Sequence, residues 1–173
     1  MAWIPTTPRL GLTPIGAIYA SAAGFYAPCV PGEIIQGRDT STYGGGEFIY
    51  LKGVSSTLVG SLVVYDPQHK TTTLAPHTAN LDEPLAVAMA ANTSTTGYAW
   101  YQIAGVAVVK KTAVKVSPNV PVYLSATVGR VSSTASAGKQ VLNAITVNTA
   151  TVASATSTVS LLIQRPFAQG QTS

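Results

Sequence analysis

Titratable side chains are scarce in this chain: its 173 residues include only 6 Asp and Glu together, 2 His and 1 Cys. General acid–base work, metal binding and nucleophilic catalysis all need such groups held close together. The shortage argues against an enzyme and for a protein that packs and pairs. The lone Cys29 excludes an internal disulfide and fits synthesis in a reducing cytosol. Charged residues make up 9% of the chain, against roughly 25% in ordinary soluble proteins. Mean hydropathy is nevertheless positive, +0.29. No apolar run reaches the roughly 18 residues of a membrane-spanning helix, and stretches such as Leu85–Ala91 and Gly105–Val109 have the length of strands. No membrane partner is expected. The start, Met1–Arg9, lacks the basic and apolar regions of a secretory leader, so the sequon Asn92-Thr93-Ser94 is not expected to carry a glycan.

Basic residues are also too few and too scattered for a nucleic-acid surface. The net charge of +4 reflects missing acids, and the only local cluster is Lys110, Lys111 and Lys115. A nucleic-acid binder carries a dense basic stripe, often interleaved with stacking aromatics. Lysines at a strand edge that discourage unwanted pairing account for this cluster, and no direct nucleic-acid contact is expected.

What the chain does contain is Thr, Ser, Ala, Val and Gly in short alternating runs. Residues 1–32 stand apart: Pro5, Pro8, Pro14, Pro28 and Pro31 exclude helix and central strand. Trp3, Ile4, Leu10, Leu12, Ile15, Ile18, Tyr19, Phe25 and Tyr26 make the segment too apolar for a free tail. It reads as an extended arm lying on its own domain or on a neighbouring subunit. From Gly32 onward, strands are predicted over Glu33–Gln36, Glu47–Leu51, Ser61–Tyr65, Thr71–Leu74, Leu85–Ala90, Gly97–Val109, Thr112–Val116, Val120–Leu124, Val141–Val147 and Thr158–Ile163, with a turn at Gly37-Arg38-Asp39. Leu85–Ala90 puts large residues on one face and Ala on the other, so a second layer approaches closely. Gly105 marks a bulge or bend of the kind a barrel corner needs. Many short strands with turns between them predict an all-β fold, an antiparallel β-barrel or β-sandwich over 33–167, with a short polar tail at 168–173.

No constellation of catalytic type emerges. His69 and His77 are loosely spaced from Asp66, Asp82 and Glu83, which fits no metal site. Gly44-Gly45-Gly46 is followed by no Lys-Ser/Thr pair, and no Gly-x-Ser-x-Gly elbow is present. No cofactor is expected. Tyr98 and Trp100 share a face of their strand and, with Gln102, are the candidate residues for a sugar-stacking platform, while Tyr101 points the other way.

Several phrases carry a family likeness: Tyr43-Gly44-Gly45-Gly46-Glu47-Phe48-Ile49-Tyr50-Leu51-Lys52-Gly53-Val54, Val87–Ala91, Gly97–Val108, Pro121–Val131 and Ile163-Gln164-Arg165-Pro166-Phe167. Over residues 32–167 the chain resembles the capsid decoration, or cement, proteins and related head-associated virion proteins of tailed bacteriophages. The resemblance implies a β-barrel-like, oligomeric protein on the outside of the virion head, made in the host cytoplasm, with no active site. Its partners would be the major capsid protein and further copies of itself, a trimer being favoured because it suits threefold positions of the shell. Such a protein works through buried contact area multiplied over many copies.

On this reading the arm carries the contact, with Trp3, Ile4, Leu10, Leu12, Tyr19 and Phe25 as interface residues. Its deletion is expected to abolish shell binding while leaving the β domain folded. The alternative is a head-fibre or tail-associated adhesion module that grips a host surface glycan through Tyr98, Trp100 and Gln102. A polysaccharide hydrolase using Asp66, Asp82 or Glu83 is the remaining possibility.

Overall fold

The computed structural model describes residues 3–6, 12–20, 29–68 and 72–171. Every regular element among them is a strand, and all strand pairings are antiparallel, so the fold is all-β. In chain order the strands are β1 (Trp3–Pro5), β2 (Ile18–Ala20), β3 (Ile34–Asp39), β4 (Gly45–Lys52), β5 (Leu62–Tyr65), β6 (Thr72–Leu74), β7 (Leu85–Ala88), β8 (Gly97–Lys110), β9 (Pro121–Leu124), β10 (Val131–Ser132), β11 (Gln140–Thr146) and β12 (Thr158–Ala168). The main path runs β1-β3-β4-β8-β12-β11-β9-β10, with β2 and β7 also paired to β8, and β5 joining β7 to β6. The sheet does not close into a barrel. Its two ends are a three-residue strand containing Pro5, which has no N–H to donate, and a two-residue strand. Neither offers a run long enough to pair with the other.

Strand β8 organises the molecule. Its 14 residues pair with β4 through Tyr98–Gly105 and with β12 through Ala104–Lys110. Between the two lies a bulge: Phe48 faces Gln102 and Glu47 faces Ala104, leaving Ile103 as the extra residue. Gly105 follows at φ 95°, and a side chain there would collide with the Gly45 carbonyl. The bend expected from Gly105 is present, without the barrel.

Past that bend β8 changes cores. Ala99, Tyr101 and Ile103 pack with Ile49, Leu51, Val63, Ala86, Ala88 and Ala90. Ala107 and Val109 pack instead with Leu62, Val64, Leu85, Val87, Val159, Leu161 and Ile163. The β5–β7 pair is therefore a layer buried on both faces, alternate residues serving the two cores. Its small Ala86 and Ala88 give the close approach that the Leu85–Ala90 alternation predicts. On the opposite side of the first half of β8, Trp100 is enclosed by Ile15, Cys29, Ile35, Phe48 and Tyr50.

Four expectations change. The predicted turn at 37–39 is instead the second half of β3, and the chain turns after it. Gly37 is strand because a side chain there would strike Ile15 and Phe48, so its bareness serves packing. Residues 112–116 form no strand; isolated bridges at Lys111 and Val116 hold the segment instead. Lys111 is not an exposed edge lysine. It is 1% exposed, and its Nζ donates to the carbonyls of Val114 at 2.7 Å, Thr112 at 3.2 Å and Ser154 at 3.4 Å. The polar tail is also tied in, since β12 extends to Ala168 and the Gln169 N–H donates to the Gln140 carbonyl at 2.9 Å.

Of the two places left open for the arm, its described residues take the chain's own domain. Trp3–Pro5 pairs with Gly37–Asp39, Ile18–Ala20 pairs with Gly97–Ala99, and the Trp100 indole N–H donates to the Thr13 carbonyl at 2.8 Å. Ile15 is fully buried. The described part of 1–32 is thus a wall of the domain, and an apolar, Pro-interrupted segment has found its partners within its own chain.

Candidate functional site

A concavity of about 610 Å³ lies where β3, β4, β8 and β12 meet, and it is lined by Thr6, Gln36, Glu47, Ala104, Gln164, Arg165 and glycines 37, 45, 46 and 105. Register explains it. Gln36 stands opposite Glu47, Glu47 opposite Ala104, and Ala104 opposite Gln164, while the Thr6 N–H donates to the Gln36 carbonyl at 2.9 Å. Cross-strand neighbours on one face form a continuous row. Here the row reads hydroxyl, carboxamide, carboxylate, methyl, carboxamide, with Ala104 as the low point. The β5–β7 layer covers this same face farther along, over Ile49 and Leu51, and leaves the row open.

Arg165 closes the groove across the top. Its Nη2 lies 3.2 Å from Glu47 Oε2, with the arginine side chain 67% exposed and the glutamate 30%. Strict alternation along β12 would send Arg165 to the face opposite Gln164. Instead both are exposed, because Arg165 adopts φ 49° and the β11–β12 register slips there. Asn143, on the facing strand, is also left-handed at φ 57°. A left-handed non-glycine residue costs about 1–2 kcal/mol, whereas an exposed ion pair contributes at most about 1 kcal/mol. The ion pair alone does not account for this arrangement; the bulge also turns Pro166 and Ala168 inward, and strained backbone is found at functional sites as well.

Beside the polar row runs an apolar one. Val106 stands opposite Leu162, Leu162 opposite Ile145, and Ile145 opposite Pro121, across β8, β12, β11 and β9. Leu162 and Ile145 are 38% and 39% exposed. They line a second concavity of about 310 Å³ with Asn143, Ala144 and Gln164, so Gln164 borders both. The outer face is therefore continuous, polar at one end and apolar at the other.

The residues singled out from sequence fall elsewhere. Trp100 is fully buried and Gln102 is 1% exposed, its Nε2 donating to the carbonyls of Ala104 and Val106, each at 3.1 Å. Tyr98 stacks on Tyr50 with ring centroids 5.9 Å apart. A sugar has no access to either face of the Trp100 ring, so these three residues form core and not platform. Trp3 packs edge-on against Phe48 at 5.0 Å, Leu12 is half-buried against the same cluster, and half-buried Tyr19 stands opposite Tyr98. Ile4 is 45% exposed on its edge strand. Leu10, Phe25 and His69 lie outside the described residues.

His77 is exposed, with Lys139 Nζ 3.0 Å from its Nε2. Asp66 and Glu83 border a small concavity of about 190 Å³ with Thr72 and Thr73. Among the described residues no three of His, Cys, Asp and Glu converge as metal ligands would. Asn92 of the sequon is 1% exposed, which closes it to modification in the folded chain.

Sequence reading missed Gln36, Glu47, Gln164 and Arg165 because they come from three strands and meet only through register. The available signal was the repeated glycine at 44–46 and 105, which marks a place where backbones approach without side chains. Compared with known proteins, the sequence matches no family model and no curated protein.

Proposed function

We propose that this protein is a structural component of a tailed-phage virion that binds the outer surface of the capsid and cements neighbouring major capsid proteins. It would work together with further copies of itself, as a trimer at threefold positions of the shell. The observation that carries this reading is the uncovered row Val106–Leu162–Ile145–Pro121, in which apolar residues stand opposite one another across four strands. Ile4, Val30, Leu58, Val59 and Val128 are individually more exposed but lie on an edge strand or outside the strands and form no such row. Rows of aliphatic residues left open across several strands are suited to contact with another protein. The phrase-level likeness to phage decoration proteins supplies the identity of that partner. The contact shifts from the arm to this face, since the arm's described residues serve the domain's own core.

The test is reconstitution. Heads from a phage lacking the gene should bind the added protein and release their DNA at a higher temperature. Paired substitutions Leu162→Lys and Ile145→Glu, which place opposite charges across one strand pair, should leave folding intact and remove binding. If the doubly substituted protein decorates heads as fully as the unaltered one, the face is not the contact. If the unaltered protein binds no heads at all, the cement reading fails.

A further inference from the structure

We infer that the groove spanned by the Glu47–Arg165 pair is a binding site for a neutral oligosaccharide, adjoining at Gln164 the apolar row proposed above as the shell contact. Its walls are a hydroxyl, two carboxamides, a carboxylate and a guanidinium, from Thr6, Gln36, Gln164, Glu47 and Arg165. Together they offer both donors and acceptors. The two charges cancel across 3.2 Å, so neither an anion nor a cation is favoured. The floor is the Ala104 methyl and glycine backbone, too bare to hold an aliphatic ligand. A polyhydroxylated neutral chain matches that set, because each sugar hydroxyl both donates and accepts.

Two other ligand classes fit less well. An added peptide strand needs a free sheet edge, but β3, β4 and β8 are each paired on both sides along the groove. A nucleic-acid backbone would meet Glu47 and a single cation. The row from Thr6 to Gln164 crosses four inter-strand steps, roughly 19 Å at the usual strand spacing, which suits a short oligosaccharide better than one sugar. Without an aromatic platform each site binds weakly, and many copies on one particle would supply the avidity.

Arg165 gives the decisive test, because glycine at that position relieves the left-handed backbone while removing the guanidinium. The isotope-labelled full chain is titrated with maltoheptaose, a β-1,4-linked gluco-oligosaccharide, a mannan oligomer and a galactan oligomer. Amide signals of Gly45, Gly46 and Gly105 and the side-chain amides of Gln36 and Gln164 are followed. At least one probe should shift these signals saturably. Arg165→Gly should melt no lower than the unaltered protein yet bind at least about tenfold more weakly, the usual loss when a charged hydrogen bond is removed. Glu47→Gln should weaken binding in the same direction. The inference is overturned if no probe shifts the groove signals, if shifts map elsewhere, or if Arg165→Gly binds equally well. It is also overturned if a sulfated oligosaccharide or an unstructured peptide shifts the same signals more strongly than any neutral sugar.

Discussion

At its start β8 drives Trp100 into a pocket of Tyr50, Phe48, Ile35 and Ile15, whereas at its end it lays Ala107 and Val109 among valines, leucines and isoleucines of β5, β7 and β12. The aromatic region gathers a few large rings from segments far apart in sequence, Thr13 and Trp100 being bonded across 87 positions. Polar atoms are trapped there: Trp3 Nε1 and Asp39 Oδ1 are buried without a partner. In the aliphatic region many small contacts share the burden. Thr146 Oγ1 there accepts from the Val120 N–H and donates to the Ser117 carbonyl, both at 2.9 Å, and Asn148 Oδ1 is a buried atom with no partner among the described residues. One end depends on a few irreplaceable side chains, and the other on redundancy.

The largest expected effect follows from that contrast. Trp100→Ala should cost about 3–5 kcal/mol, because the ring is wholly enclosed and its N–H partner at Thr13 would be stranded. Val109→Ala, equally buried, should cost only about 2 kcal/mol. Removing residues 1–20 should exceed both, by uncovering Trp100 and taking away Ile15, and should leave no stable aromatic core. Chemical denaturation followed by far-ultraviolet circular dichroism measures all three with one probe. Equal losses for Trp100→Ala and Val109→Ala would erase the distinction between the ends.

Alkaline pH should separate the two ends by sign. Burial pushes the Tyr50 hydroxyl from 10.0 up to about 12, partly offset by Thr13, which lies beside it without full hydrogen-bond geometry. The folded chain therefore keeps a proton that the unfolded chain gives up, and stability falls as pH rises from 10 toward 12. At pH 11 the loss from this group is about 1 kcal/mol, and Tyr50→Phe should remove it. Tyr65 and Tyr101 are also raised by burial and add to the decline. Lys111, in the aliphatic region, is lowered from 10.5 by desolvation. There the unfolded chain holds more protons, so stability rises with pH up to 10.5, and Lys111→Met should abolish that rise. Thermal melts across the alkaline range would break the comparison if both substitutions shifted the profile the same way.

The same division marks how far the sequence could be read. Strands of the aliphatic region announce themselves by alternation: one-sided burial writes a period of two into Thr158–Ile163, and in Leu85–Ala88, buried on both faces, large residues serve one core and alanines the other. Gly105 announces the bend because no other residue tolerates it. The aromatic region was less legible. Pro-rich residues 1–20 lack periodicity, since strands of only three residues cannot display one. Trp100 and Gln102 resemble a surface platform in isolation and become core only once the N-terminal segment lies over them. The groove was hidden for a related reason: Gln36, Glu47, Gln164 and Arg165 are made neighbours by strand register and by a left-handed arginine, and neither leaves a local pattern.

The smallest expected effect lies in acid and tests whether the aromatic end also frays first. Asp39 closes β3, where its Oδ2 accepts the backbone N–H groups of Thr42 at 2.8 Å and Tyr43 at 3.0 Å and the Ser41 hydroxyl at 3.2 Å. Chiefly the Thr42 bond, and against some desolvation, lowers its pKa below the ordinary 3.8. A lowered carboxyl stabilises the fold above its unfolded value, and that contribution disappears as pH falls from 3.8 through the folded value. Protonation would loosen the turn joining β3 to β4, beside the groove glycines, while β11 and β12 have no such carboxylate in their turn. Amide protection, taken relative to the slower intrinsic exchange in acid, should therefore be lost at residues 40–46 before residues 141–146 as the solution is acidified. Asp39→Asn lacks the charge at every pH, so it should abolish the pH dependence of that loss and leave the turn as loosely protected at neutral pH as acid leaves it in the unaltered chain. Simultaneous loosening of both segments would mean that the two ends open as one cooperative unit, and that their difference lies in composition alone.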